Sequence, residues 1–290
     1  MVNIIAASQA EHLAKFLKKD KKNFRIFKLG KNKDKKRYFP DKEIYARLPD
    51  IKKLEGRTVV LHSGMPNPND GLIELKMVLE ILRETQVGPI EVFFTYFPYG
   101  MQDHADQDGA LNYAECLIKE LTAYYAVHKI YTVDAHFWGR DFAKNYPIEN
   151  ISGVSLLKEA ALKENPDMIF ITPDMGSQRR TGIEGVLKER INSHETHMKE
   201  ESADWLADTV SGKNVGVVDD LLETGGTMAK FYDECKKAGA KKVIALITHG
   251  VLKKGIKRIA STYDALYLTN TIRSKEANID MSQLIGDTIK

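Results

Sequence analysis

The chain has 290 residues, 43% of them apolar and 29% charged, with a formal net charge of +3. That length is enough for two α/β domains of ordinary size, and so small a net charge provides no global field for nucleic acid. With two cysteines and no apolar stretch of membrane-spanning length, a disulfide scaffold and a helical membrane protein are excluded, and a soluble cytoplasmic protein is expected.

In chain order, the segment Met1 to Ser8 lacks a basic leader, and its apolar run is too short for a signal peptide. Lys18, Lys19, Lys21, Lys22, Lys28, Lys31, Lys33, Lys35, Lys36 and Arg37 then crowd one stretch. It reads as a solvated hairpin or loop, with a polyanion-binding arm as the other reading. Strand-like runs recur at Thr58 to Leu61, Ile90 to Tyr96, Lys129 to Val133, Met168 to Thr172, Asn214 to Val218, Lys242 to Thr248 and Ala265 to Thr269. Helical patterns separate them, clearest at Leu72 to Glu84, Leu111 to Val127 and Gly226 to Ala238, where apolar residues fall three and four apart. Cys116 and Cys235 lie inside such patterns with no partner at metal-ligand spacing, as expected of thiols in a reducing compartment.

Alternation of this kind predicts parallel sheets flanked by helices. A polar, proline-containing break near Tyr146 to Asn150 divides the chain into expected domains 1–147 and 148–290. Leu284, Ile285 and Ile289 mark a terminal helix able to pack back on either domain.

Chemistry concentrates where strands end, since open α/β sheets bind ligands at their carboxyl edge. Tyr96 to His104 follows one strand, with Gln102 and Asp103 near its end. Val133 to His136 ends the next, where a histidine serves either as a structural hydrogen-bonder or as a ligand. Asp174, Met175, Gly176, Ser177, Arg179 and Arg180 follow a third strand, and a carboxylate with two guanidinium groups suits a pyrophosphate and its metal. The strand around Val215 to Val218 leads into Asp219 and Asp220, then Glu223, Thr224, Gly225, Gly226 and Thr227 open a helix. Amides at that helix start should face a phosphate, while the two carboxylates can accept hydrogen bonds from ribose hydroxyls.

Asp219 to Thr227 resembles the phosphoribosyl-diphosphate (PRPP) motif shared by type I phosphoribosyltransferases and ribose-phosphate pyrophosphokinases. The other segments, taken in order, resemble the pyrophosphokinases. The resemblance implies two phosphoribosyltransferase-like domains and transfer of a diphosphoryl group from ATP to ribose 5-phosphate, with Mg²⁺ near His136 and Asp174. It implies ATP contacts from Gln102, Asp103 and His136. It also implies contacts from Phe39, Asp41 and Glu43 reaching a neighbouring subunit, so that a homo-oligomer (dimer or hexamer) shares the active site across an interface.

Several positions depart from the family pattern. Met101 replaces an arginine, Lys42 a glycine and Ser177 the second glycine of the pyrophosphate loop. The segment after Arg180 is short, leaving Lys188 and Arg190 as the expected catalytic-loop cations and Lys199 as the alternative. No Gly-x-x-x-x-Gly-Lys-Ser/Thr loop occurs, so a P-loop kinase is not expected. A phosphoribosyltransferase, a pyrophosphokinase acting on a larger acceptor such as ADP-ribose, and a non-catalytic regulatory paralogue are the competing readings.

Overall fold

A computed structural model describes residues 1–18, 22–185, 188–190, 196–198 and 200–290. These residues form two compact units. The first comprises Met1–Ile151, Thr271–Arg273 and Asp280–Lys290; the second comprises Ser152–Asn270 and Ser274–Ile279.

In the first unit the order along the chain is β1 (Val2–Ala6), α1 (Glu11–Leu17), β2 (Phe24–Lys28), β3 (Thr58–Ser63), α2 (Pro68–Glu84), β4 (Ile90–Tyr96), α3 (Tyr113–Lys119), β5 (Lys129–Val133) and β6 (Ile148–Ile151). All pairings in its sheet are parallel, in the order β2-β1-β3-β4-β5-β6. Val59, Val60, Leu61, Val92, Phe93 and Phe94 are fully buried, as expected of strands covered on both faces. Pro68 opens α2 at a position where a missing N–H costs nothing. The helix expected over residues 111–127 is regular only to Lys119, then widens into π-type turns through Tyr124. There Thr122 donates its hydroxyl back to the carbonyls of Ile118 and Lys119.

The second unit contains α4 (Val154–Glu164), β7 (Ile169–Ile171), α5 (Met175–Thr181), β8 (Lys188–Arg190), β9 (Thr196–Met198), α6 (Glu200–Val210), β10 (Asn214–Leu222), α7 (Gly226–Lys237), β11 (Lys242–Gly250), α8 (Lys253–Thr262) and β12 (Ala265–Leu268). Its main sheet is also parallel, ordered β12-β11-β10-β7, and β8 pairs antiparallel with β9. The last helix, α9 (Ser282–Ile289), belongs to the first unit, where Gly286 lies close to Leu17 and Phe24.

Two elements differ from the expectation. The segment read as the domain break carries β6, whose residues Ile148 to Ile151 pair with Ile130 to Val133 and extend the first sheet. β10 runs on through Asp219 and Asp220 to Leu222, because β11 continues to pair with it as far as Leu222 opposite Gly250.

Candidate functional site

In the first unit the segments singled out from the sequence meet at the carboxyl edge of the sheet. Phe97, 2% exposed, anchors the chain beyond β4 by packing on Phe94 and Phe137 with ring centroids 4.7 and 5.0 Å away. Pro98 presses so closely on Gly64 that a Cβ there would lie 2.7 Å from Pro98 Cβ. Gln102 is tied by its backbone to Tyr99 and Ala114, leaving its side chain exposed. Beyond β5, the Ala135 N–H donates to Asn150 Oδ1 at 2.9 Å, and His136 is half-buried. A Cβ on Gly100 would stand 3.8 Å from His136 Cβ, so the two loops abut.

The Phe39 to Glu43 segment is a hairpin turn, with Tyr38 bridged to Ile44. The Phe39 N–H donates to the Glu43 carbonyl at 2.9 Å, and Asp41 accepts from the Glu43 N–H at 3.0 Å. Phe39, Asp41 and Glu43 are all exposed. This segment and the loop beyond β4 converge on the first turn of α2: Tyr38 donates to Asp70 at 3.2 Å, and Tyr99 donates to Asn69.

Lys42 at φ +72°, Tyr99 at +57° and Asp134 at +34° adopt left-handed backbone, one in each of the three segments. Non-glycine residues held this way carry strain that collects at ligand sites.

Asp103 is 3% exposed, and its oxygens are engaged by Arg140 at 2.7 and 3.1 Å and by His104 Nδ1 at 2.6 Å. Burial pushes its carboxyl up, but hydrogen bonds from Arg140 and His104 outweigh that and hold it below the ordinary carboxylate range. Asp103 is thus held by Arg140 and His104 and keeps almost no exposed surface of its own. Nothing in the sequence singled out Arg140, because the ion pair spans 37 residues.

In the second unit, Asp174 caps α5, accepting from the Ser177 N–H at 2.9 Å. Met175 and Arg179 are exposed and Gly176 is half-buried. A Cβ on Gly176 would lie 2.9 Å from Arg180 Nη1, so this glycine makes room for the guanidinium. Ser177 is fully buried and donates its hydroxyl to Asp219 at 2.7 Å. Arg180 contacts Asp220 at 2.8 Å and approaches Asp219 to 3.8 Å. The serine that departs from the family glycine thus acquires a defined partner, and Arg180 is drawn to the carboxylate pair.

Asp219 and Asp220 are 9% and 1% exposed. Burial, and then the adjacent Asp220 charge, push the Asp219 carboxyl well above its ordinary range, while Ser177 pulls it back.

Past β10, Glu223, Thr224 and Thr227 are exposed, and Gly225 at φ +71° turns the chain into α7. Gly255 of α8 packs directly beneath this loop: a Cβ there would lie 1.9 Å from the Glu223 carbonyl oxygen. Arg258 comes within 3.8 Å of the Cβ position of Gly226. Neither residue carried a sequence signal. Lys188 and Arg190 lie on β8 opposite Met198 and Thr196; their side chains and all of Lys199 fall outside the described residues.

Among the described residues, no group of three or more His, Cys, Asp or Glu side chains could hold a metal ion. Isolated carboxylates such as Asp174 fit Mg²⁺ only as it is commonly bound, through one or two side chains together with substrate phosphates.

Two parallel-sheet units, the second carrying a buried carboxylate pair ahead of a glycine-turned helix, define a phosphoribosyltransferase-type protein. Residues 2–124 match the model of the N-terminal domain of ribose phosphate pyrophosphokinase, and residues 181–284 match that of the phosphoribosyl transferase domain. Ribose-phosphate pyrophosphokinases of Pyrococcus furiosus and Thermococcus kodakarensis are 31% and 30% identical, each alignment covering 84% of this chain and 87% of the relative. The chain belongs to the ribose-phosphate pyrophosphokinase family. Its fold is also that of a phosphoribosylpyrophosphate synthetase from Mycobacterium smegmatis, at 21% identity and a TM-score of 0.78 over 99% of this chain and 97% of that one.

Proposed function

We propose that the protein is a ribose-phosphate diphosphokinase, converting ATP and ribose 5-phosphate into PRPP and AMP. The match of residues 2–124 to the family's N-terminal domain carries this reading, because a simple phosphoribosyltransferase would leave the first unit without a use.

In this reading the second unit holds the acceptor. Backbone amides from Thr224 to Thr227 receive the 5-phosphate with the α7 dipole behind them, and Glu223 borders that loop. Asp219 and Asp220 accept hydrogen bonds from the ribose hydroxyls. The first unit holds ATP, with Gln102 and His136 on its paired loops and Asp103 acting through Arg140. Phe39, Asp41 and Glu43 reach the nucleotide of a neighbouring copy, their exposure fitting that role. The protein would then work as a homo-oligomer in the cytoplasm, and its two free cysteines suit a reducing compartment.

The 1-hydroxyl oxygen of ribose 5-phosphate attacks the β-phosphorus. The bond from that phosphorus to the bridging oxygen breaks, AMP leaves with that oxygen, and the hydroxyl proton is released. Backbone amides of the pyrophosphate loop and Arg179 meet the oxygens of the transferring diphosphoryl group, while Lys188 and Arg190 close over its charge. His136 and Asp174, together with the substrate phosphates, would be the groups to hold Mg²⁺, which would supply positive charge against that developing on the phosphoryl oxygens. Replacing Lys188 or Arg190 by alanine should lower kcat by at least about a hundredfold with much smaller changes in KM, as for groups that act in the transition state.

Incubating the purified protein with ATP, Mg²⁺ and ribose 5-phosphate should yield AMP and PRPP in equal amounts. Preference for ADP-ribose in direct competition would reassign the acceptor. Nucleotide binding without AMP formation from any acceptor would instead favour a regulatory paralogue.

A further inference from the structure

The two loops assigned above to ATP are short of positive charge. Residues 97–112 contain Asp103, Asp106 and Asp108 but no lysine or arginine. Residues 134–143 add Asp134 and Asp141 and one guanidinium, that of Arg140. Lys144, just beyond, is 76% exposed and paired with Asp141 at 2.8 Å. A polyphosphate approaching such loops meets repulsion unless a cation is aimed at it.

Arg140 is built for that task. Its Nε donates to Asp103 Oδ2 at 2.7 Å and its Nη2 to Asp103 Oδ1 at 3.1 Å, a planar fork that fixes the guanidinium. The Asp103 side chain is 2% exposed and that of Arg140 is 34% exposed, so the carboxylate is the buried anchor and the cation is the surface it presents. No hydrogen bond engages Nη1 among the described residues. The residue stands four positions after His136, on the loop that abuts Gly100. Met101, the next residue, is 45% exposed and offers no charge.

We propose that Arg140 is the phosphate-contacting cation for the nucleotide substrate, with Asp103 as its positioning residue. The inference rests on the assignment of ATP to the first unit. It places the nucleotide-binding charge on the loop after β5, in place of the charge absent at Met101.

Calorimetric titration with ATP, together with separate kcat and KM values for both substrates, tests this on Arg140→Met, Arg140→Lys, Asp103→Asn and the double variant Arg140→Met with Met101→Arg. Arg140→Met should weaken ATP binding and raise the KM for ATP about tenfold or more, the loss expected for one charged hydrogen bond. The KM for ribose 5-phosphate should stay within about twofold, since only one substrate loses a contact. Arg140→Lys should fall between, and Asp103→Asn should weaken ATP binding less than Arg140→Met does. Adding Met101→Arg to Arg140→Met should recover most of the lost ATP affinity, a rescue that a purely structural ion pair would not show.

Unchanged ATP affinity in Arg140→Met would overturn the proposal, as would parallel loss for both substrates with no recovery in the double variant. The two levels separate cleanly. A wild-type protein that binds ATP through Arg140 yet forms no PRPP would refute the proposed reaction and leave this site standing. PRPP synthesis by Arg140→Met with an unchanged KM for ATP would do the reverse.

Discussion

A carboxylate accepts hydrogen bonds from a sugar most strongly when ionised, and Asp219 sits where ionisation is hardest, buried and beside Asp220. Its raised pKa means that the fold favours the protonated form. The stability it contributes is complete below the unfolded value of about 3.9 and is lost as the pH rises through the folded one. Ionisation of this carboxyl therefore costs stability. Asp219→Asn keeps an oxygen to accept from Ser177 and removes that charge, so its Tm at pH 7 should exceed wild type. The value of kcat/KM for ribose 5-phosphate should fall about ten- to a hundredfold, the range for a hydrogen bond to a charged group. In the wild type, the acid limb of kcat/KM should lie above the ordinary carboxylate range. Ser177→Gly, which removes the hydroxyl that pulls Asp219 back, should move that limb to higher pH.

At the scale of elements, the acceptor loop is shaped as much by α8 beneath it as by its own residues. Gly255→Ala would set a methyl group 1.9 Å from the Glu223 carbonyl oxygen, inside any real contact, and the backbone must move. The KM for ribose 5-phosphate should rise at least about tenfold, since displacement of about 1 Å in a binding loop can cost a hundredfold. Steady-state kinetics at saturating ATP would check this.

Such a glycine is invisible in sequence, because its reason lies in another element. By contrast, β4 and β5 were legible at their observed limits, because their apolar runs exceed what one exposed face would need. β1 was missed because a short apolar run has the same signature in a buried strand as in a helix segment. β2 and β6, at the sheet edges, have only partly buried patterns and gave no signal above the loops around them. In the candidate site, strand-end carboxylates and glycines could be read, whereas partners across the fold could not. The sequence offers Asp103 as a ligand contact without revealing that Arg140 lies on it, and offers Ser177 as a small substitution without revealing that its hydroxyl reaches Asp219.

At the scale of the molecule, the chain begins the first unit, builds the second, and returns at Thr271–Arg273 and Asp280–Lys290. Met281, Ile285 and Ile289 are each at most 1% exposed. At about 1.5–3 kcal/mol for each buried side chain, they contribute on the order of the roughly 5–15 kcal/mol that holds a domain folded. Deleting residues 281–290 should therefore lower the melting temperature of the first unit while hydrogen exchange in β10 and β11 stays protected.

This threading also sets a timetable for biosynthesis. A nascent chain that has emerged through residue 270 has every residue of the second unit's main sheet available, yet its first unit still lacks α9. The unit translated first is thus completed last, and chaperones meeting the unfinished protein would find their hydrophobic target near its beginning.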